Sequence, residues 1–322
     1  MQYNKNFRQE QVEKLANMEL THVKSDMHLD FDGKFLELPI IVDEKEVVEG
    51  VLCNRYGGFG YVIAPSPQAG CCVKCDFCDM SNLPYKGNLS AEVILEQIAL
   101  VLNRAIKFGY KVTERPLKIS FVKGGEGLLN PEFPRALELI AENLEAPIKV
   151  STTFPDRNTP HKVYKDIERF ASTYPEVTQM QISLISTNEE YRQSRVKVPL
   201  IPFKDLRKYG ESWKEKVPNP RKMTLTFTLT ENTPCDPKEI CAILPPDYFA
   251  VRIRDWMPTL KGIELGLLSP TERKVYETSK KFEDYGYQMI PGKPGGTERK
   301  FKLTAGHIIK MYNQLVNRNN NL

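Results

Sequence analysis

Gly70-Cys71-Cys72-Val73-Lys74-Cys75-Asp76-Phe77-Cys78-Asp79 decides how this chain is read. Cys71, Cys75 and Cys78 follow a Cys-x3-Cys-x2-Cys spacing on one short loop. Three thiolates so placed can hold three irons of a [4Fe–4S] cluster and leave the fourth open to a further ligand. A zinc site is the alternative, although zinc knuckles usually come as two separated Cys-x2-Cys pairs and no second pair is present. Plain structural cysteines are the third reading. A disulfide is not expected, because Met1-Gln2-Tyr3-Asn4-Lys5-Asn6 lacks the apolar core of a secretory leader.

Outward from the loop, the pattern alternates strand and helix. Tyr61–Ala64 is expected to be a strand leading into the cysteines. Ser90 caps a helix reaching about Phe108. Strand–helix pairs then follow: Leu117–Val122 with 133–143, Ile148–Thr152 with 161–173, Met180–Leu184 with 203–215, Thr224–Leu229 with 237–243, and Phe249–Ile253 with 270–285. Six β-α units in series predict an α/β fold, a partial (β/α)6 barrel with its chemistry at the C-terminal strand ends. Before it, residues 6–20 read as an amphipathic helix. Met27–Phe31, Phe35–Ile41 and Val47–Leu52 read as strands of a small β-extension, with Asp32-Gly33 as a hairpin turn. The expected division is 1–55 for the N-terminal helix and β-extension, and 56–322 for the barrel with its closing segment.

The chain of 322 residues carries a net charge of +4, which permits a nucleic-acid partner without requiring one. No apolar run is long enough for a membrane span, and seven cysteines suit a reducing, cytoplasmic setting. Cys53, Cys72, Cys235 and Cys241 read as structural thiols. Cations gather in two stretches. Arg192, Arg195, Lys197, Lys204, Arg207, Lys208, Lys214, Lys216, Arg221 and Lys222 read either as a nucleic-acid surface or as a solvated face with local acidic partners. Lys293, Arg299, Lys300 and Lys302 flank a Gly-Lys-Pro-Gly-Gly loop that could meet phosphate.

With its aromatic before the last cysteine, the loop resembles the signature of radical S-adenosylmethionine (SAM) enzymes. The order of elements from residue 27 to about 315 resembles, more narrowly, the radical SAM adenine-C2 methyltransferases of ribosomal and transfer RNA. Ser66-Pro67-Gln68-Ala69-Gly70-Cys71 is similar to that family's lead-in to its cluster, and Gly125-Glu126-Gly127-Leu128-Leu129-Asn130 to its Gly-Glu-Pro-Leu-Leu-Asn. Ser151-Thr152-Thr153, Ile182-Ser183-Leu184, Val48-Glu49-Gly50-Val51 and Leu303-Thr304-Ala305-Gly306-His307 follow its other motifs. The resemblance implies cluster ligands Cys71, Cys75 and Cys78, SAM contacts from Gly125, Glu126, Ser151 and Ser183, and Glu49 as general base. It implies reductive cleavage of SAM to a 5'-deoxyadenosyl radical, with flavodoxin or ferredoxin as electron donor.

The departures are as informative. The family carries its methyl group on one cysteine and resolves the product adduct with a second. Ala305 and Ala64 stand at those places, and alanine offers neither sulfur nor proton. Met257 stands where the family has an Asn touching SAM, and the N-terminal domain is shorter. The expectation is therefore hydrogen abstraction from a nucleobase-like, nucleotide or other phosphate-bearing substrate without methyl-cysteine transfer. A methyltransferase with another acceptor strategy, and an Fe–S nucleic-acid binding module without turnover, are the alternatives.

Overall fold

A computed structural model describes residues 5–55, 60–174, 178–218, 220–292 and 294–319. The first helix, α1 (Lys5–Ala16), stops earlier than its pattern suggested, where Asn17 turns back and its side-chain amide donates to the Glu13 carbonyl. Strands β1 (Val23–Lys24), β2 (Leu29–Phe31), β3 (Phe35–Val42) and β4 (Glu46–Arg55) form the β-extension, all antiparallel. The Asp32-Gly33 turn between β2 and β3 has positive φ at both residues, +58° and +61°, as a two-residue hairpin turn requires.

The barrel strands are β5 (Gly60–Ala64), then, past the small pair β6 (Gln68–Ala69) and β7 (Gly87–Asn88), β8 (Leu117–Phe121), β9 (Ile148–Thr152), β10 (Thr178–Ser183), β11 (Met223–Leu229), β12 (Phe249–Asp255) and the short β13 (Gln288–Met289). From β5 to β13, leaving out β6 and β7, these strands are parallel, each beside the next. β4 pairs antiparallel with β5, so extension and barrel share one open sheet. This is the partial barrel expected, with a seventh parallel strand added.

The helices cover the outer face: α2 (Ala91–Lys107), α3 (Phe133–Asn143), α4 (Asn158–Thr173), the short α5 (Glu189–Ser194), α6 (Phe203–Lys216), the short α7 (Leu260–Glu264) and α8 (Glu272–Asp284). Ser90 caps α2 by accepting from the Val93 amide. The expected helix at 237–243 is only a single tight turn, Pro237–Glu239, confined between Pro237 and Pro245. Two helices of the closing segment, α9 (Gly296–Phe301) and α10 (His307–Asn319), have no counterpart in the sequence pattern as read above.

Strand alternation sorts the side chains. Ile148, Val150, Met180, Ile182, Leu225, Phe227, Val251 and Ile253 join Leu137, Ile140, Val163, Ile167, Leu206 and Phe282 in one apolar core beneath the helices. The alternate positions, including Lys118, Lys149, Ser151, Gln181, Thr226 and Arg252, face the barrel interior. Buried Glu96 of α2 accepts from the amides of Thr21, His22 and Val23 and from the Thr21 hydroxyl, which fastens the approach to β1 onto the barrel.

Candidate active site

The cysteine loop leaves the C-terminal end of β5. Its geometry is set at the start by Gly70, whose φ is +81° and where a Cβ would collide with the Pro84 carbonyl oxygen. The amide of Asp76 donates to the Arg195 carbonyl at 2.9 Å, and the amide of Lys197 to the Val73 carbonyl at 2.8 Å. The Trp256 indole donates to the Phe77 carbonyl at 3.1 Å, which places Met257, the next residue, beside the loop. Asp79, directly after the last cysteine, accepts from the Thr304 hydroxyl at 3.1 Å and pairs with Lys310 at 2.9 Å, tying the loop to the closing segment.

The three spaced cysteines come together. Cys71 and Cys75 pack on the cluster of Val73, Ile185 and Leu200, while Cys71 and Cys78, with Ala305, pack on that of Met80, Leu83 and Ile308. All seven cysteines are free thiols. Burial pushes the Cys71 thiol up to about 12 and the Cys78 thiol to about 11, and raises Cys75 well above the ordinary value; Cys78 adds to the rise at Cys71 and Cys75, and Cys71 to that at Cys75. Buried, mutually repelling thiols become stable thiolates only when a cation compensates them. Among the described residues no three His, Cys, Asp or Glu side chains stand close enough to hold a single metal ion. A cube-shaped cluster places each thiolate on a different iron, so its ligands stand further apart than those of one zinc. Three cysteine thiols on one loop are the donor set that a [4Fe–4S] cluster with one open iron takes. Cys72 feels Glu126, Arg157 and Lys74 and is only half-buried.

The Gly-Gly-Glu turn after β8 lies directly against the cysteine lead-in. A Cβ on Gly125, at φ +115°, would meet the Gln68 side chain at 2.7 Å, and one on Gly124 would strike the Ser66 hydroxyl. The Glu126 amide donates to Gln68 Oε1 at 2.8 Å. The Glu126 carboxylate is buried and accepts from the Thr153 amide and hydroxyl at 2.8 and 2.9 Å. It thus joins the end of β8 to the end of β9. Ser151 Oγ is buried with no protein partner, a polar atom available to a ligand. Ser183 ends β10 in register with Thr226. The glycine turn and the orphaned hydroxyl, on adjacent strands at one barrel end, fit a small polar ligand such as SAM.

Glu49 is placed differently from an open catalytic base. It is fully buried on β4, and its two carboxylate oxygens accept from the Gly306 amide at 3.0 and 2.9 Å. Burial raises its carboxyl above the ordinary range, while Lys123 acts against this. Lys123, Glu37 and His307 complete a buried network that sequence reasoning missed: Lys123 lies 3.2 Å and His307 Nδ1 2.8 Å from the Glu37 carboxylate. The signal was Lys123 itself, a lysine directly preceding the Gly-Gly-Glu turn.

Half of the basic stretch is buried or has a local acidic partner. Arg192 is buried and donates to the Ile201 and Thr153 carbonyls. Arg195 pairs with Asp76, Arg207 with Glu211, Lys208 with Asp205 and Lys216 with Glu168. In the closing segment Arg299 pairs with Asp255 and Lys300 with Asp32, and Lys293 lies outside the described residues. No helix among the described residues is long and apolar enough to cross a membrane.

This fold and this site carry the resemblance to the radical SAM superfamily, and it holds: that superfamily works with a [4Fe–4S] cluster and SAM. The chain is 27% identical over 241 residues to a probable dual-specificity RNA methyltransferase RlmN of Koribacter versatilis, across 73% of this chain and 66% of that protein. It is 38% identical over 82 residues to a probable RNA methyltransferase of Myxococcus xanthus, covering 25% of this chain and 21% of that one. It is 42% identical over 67 residues to the dual-specificity RNA methyltransferase RlmN of Buchnera aphidicola, covering 20% and 19%. The match thus spans just under two thirds of the first relative's length and about a fifth of the others. The crystal structure of a radical SAM methyltransferase from Sphaerobacter thermophilus superposes with a TM-score of 0.69 at 19% identity, over 92% of this chain and 84% of that one. No family model matches the chain.

Proposed function

We propose that this chain is a radical SAM enzyme that abstracts hydrogen from a nucleobase-like or phosphate-bearing substrate, without passing a methyl group through a cysteine. The observation that carries the reading is Ala305. It packs against the same apolar cluster, Met80 with Ile308 and Ile309, as Cys71 and Cys78, and the adjacent Gly306 amide is held by Glu49. Ala64, at the other expected thiol position, is buried opposite Val51.

When bound, the cluster and SAM supply one-electron reductive cleavage and, with it, a strong hydrogen-atom abstractor. Cys71, Cys75 and Cys78 would hold the cluster. Gly125, Ser151 and Ser183 would orient SAM, with Glu126 holding the ends of β8 and β9 in place. RNA-modifying relatives support a nucleic-acid-like substrate, and flavodoxin or ferredoxin is the class of donor the chemistry calls for. Residues 56–322 would carry the chemistry and 1–55 would wall the site through Glu37 and Glu49.

Anaerobic protein reconstituted with iron and sulfide, given SAM and a strong reductant, is expected to form 5'-deoxyadenosine without S-adenosylhomocysteine. Appearance of S-adenosylhomocysteine would restore methyl transfer. A full cluster with neither product, even with candidate substrates added, would favour a binding module.

One observation favours a second reading. Cys53 shares an apolar cluster with Ala64 and Leu303, and burial pushes its thiol up to about 11. A methyltransferase using Cys53 in place of the missing thiol would show a methylated or adducted Cys53 by peptide mass spectrometry.

Glu49→Gln separates two roles. Gln keeps an oxygen to accept from Gly306, so a purely positioning Glu49 predicts stability within about 1 kcal/mol of the parent and retained turnover. The raised folded pKa means that Glu49 favours folding while protonated and that this contribution is lost as pH rises through the folded value. The Gln variant should lack that loss. Unchanged stability with turnover down at least about 100-fold would mark Glu49 as the base.

A further inference from the structure

Three segments brace the cysteine loop from outside, and each brings an exposed cation. The Lys86 amide donates to the Ala69 carbonyl and the Lys197 amide to the Val73 carbonyl, each at 2.8 Å. The segment after β9 joins them: the Asp156 amide donates to the Pro199 carbonyl at 2.8 Å, and Pro155 bridges to Leu200. Arg157 and Tyr85, on two of these segments, lie within electrostatic reach of half-buried Cys72. Lys86, Arg157 and Lys197 are exposed, and none has an ion-pair partner among the described residues. Two nearby carboxylates are already engaged, Asp76 at 3.7 Å from Arg195 and Asp156 at 2.9 Å from His161. The rim of the loop is thus left with unpaired positive charge.

A positive surface attracts an anionic partner and speeds its encounter. Place narrows the partner. The floor of this surface is the loop that bears Cys71, Cys75 and Cys78, and electron tunnelling falls steeply with distance, so a carrier has to dock close to those thiols. Extent narrows it further. Three unpaired cations and one exposed ring, Tyr85, suit the small, transient interfaces of electron carriers, whereas a single-stranded nucleic acid takes a groove with successive stacking rings. Tyr191 is already covered by the Arg195 guanidinium, 4.4 Å from its ring centre. We propose that Lys86, Arg157 and Lys197, with Tyr85, form the docking surface for a small acidic one-electron carrier protein that reduces the cluster. One electron leaves the carrier and enters the cluster, and no bond or proton moves. This role rests on the radical SAM reading, since only a redox-active cluster calls for a carrier.

Oxidised flavodoxin and oxidised ferredoxin, both acidic carriers, are titrated calorimetrically into the anaerobic cluster-loaded protein at low ionic strength, a readout that needs no turnover. At least one is expected to bind, and to bind more weakly as salt rises. Reversing the three charges together, by Lys86→Glu, Arg157→Glu and Lys197→Glu, should weaken that carrier at least about tenfold. Reversing Lys14, Lys107 and Lys111, exposed lysines around the end of α2 and the start of β5, changes the net charge equally and should not. In stopped-flow mixing, the reduced carrier should bleach the cluster at least about tenfold more slowly in the first variant, while dithionite, which needs no docking, bleaches parent and variant alike. Thermal melting and iron content confirm that each variant is folded and loaded. If the triple variant is not, Lys86→Glu alone carries the comparison and should weaken binding about threefold. Binding of neither carrier to the parent, or equal affinity for parent and reversed variant, would overturn the surface. So would loss of RNA-oligomer binding in the reversed variant with carrier binding kept, which would give these cations to an RNA substrate. Formation of 5'-deoxyadenosine with dithionite tests the radical reading by itself, so the two failures are told apart.

Discussion

Replacing Cys71, Cys75 and Cys78 together by Ala is expected to abolish iron and sulfide incorporation, and with it the broad visible absorbance of a cluster. Burial raises each of the three thiols, and Cys75 lies within electrostatic reach of both Cys71 and Cys78. Such a group gains most of its metal affinity from the compensation of three negative charges in a place water cannot solvate. Alanine removes the ligands and adds no strain, since Val73, Ile185, Ile308 and Met80 still pack around the loop. The anchors of Asp76, Phe77 and Asp79 do not use sulfur, so the fold should survive. Iron and sulfide analysis after anaerobic reconstitution gives the answer. Full iron content in the triple variant would show that the ligands lie elsewhere. Cys72→Ala should leave iron content unchanged, because Cys72 stands outside the Cys-x3-Cys-x2-Cys spacing and next to Cys71, where two side chains cannot readily bind one cluster.

Lys123→Met is expected to destabilise the fold severely, by about 3–5 kcal/mol in urea unfolding at neutral pH. Lys123 is enclosed between β3, β4 and the closing segment, and its ammonium pairs with buried Glu37 and lies within electrostatic reach of Glu49. Burial works against that ammonium, yet Glu37 and Glu49 together hold it above the ordinary lysine value. Methionine matches the stem in length but leaves Glu37 with only His307, and Glu49 with only the Gly306 amide. Breaking one side of a buried ion pair costs more than the pair contributes, because the remaining charge stays desolvated.

The pH dependence should change in a defined direction. Burial would raise the Glu37 carboxyl, but Lys123 and His307 more than offset it and hold it below the ordinary carboxylate range. Its contribution to stability is therefore present above the unfolded carboxylate value and lost as pH falls through the lower folded one. The Lys123 contribution runs the other way, complete below the unfolded lysine value and lost as pH rises through the higher folded one. In Lys123→Met both dependences should flatten. A variant as stable as the parent, with an unchanged acid limb, would mean that the network is not ionised as described.

Much of this was legible in the chain. Six strands and most of the helices announce themselves because their apolar positions repeat at 2 or 3.6 residues, and Ser90, Asp32 and Gly33 are local signals that need no distant partner. The cysteine spacing is local in the same sense: three ligands within eight residues cannot be far apart. Proximity in sequence also explains why the Gly-Gly-Glu turn could be assigned to a strand end. What local pattern could not reveal were contacts that cross the chain. Gly306 and Glu49 are 257 residues apart, and His307 and Glu37 are 270 apart. Nothing near Glu49 indicates that its carboxylate faces a backbone amide from the closing segment rather than a substrate. The basic stretch, readable either as a nucleic-acid surface or as a solvated face with local acidic partners, needed the fold for the same reason. Composition counts cations, while only the fold decides that Arg192 turns inward and that Lys216 reaches Glu168.

The inward cations make the same point from the other direction. Lys118, Lys149, Arg252 and Arg254 are spread over three strands, Arg252 and Arg254 together on β12. Parallel pairing, with β10 and β11 between β9 and β12, sets them on the same face of one sheet. The sequence by itself determined the kind of fold and the cluster-binding loop, because periodicity and ligand spacing are properties of neighbouring residues. Tertiary structure alone decided which charges are buried, which are compensated and which face the barrel interior, because burial and pairing depend on segments that meet only when the chain has folded.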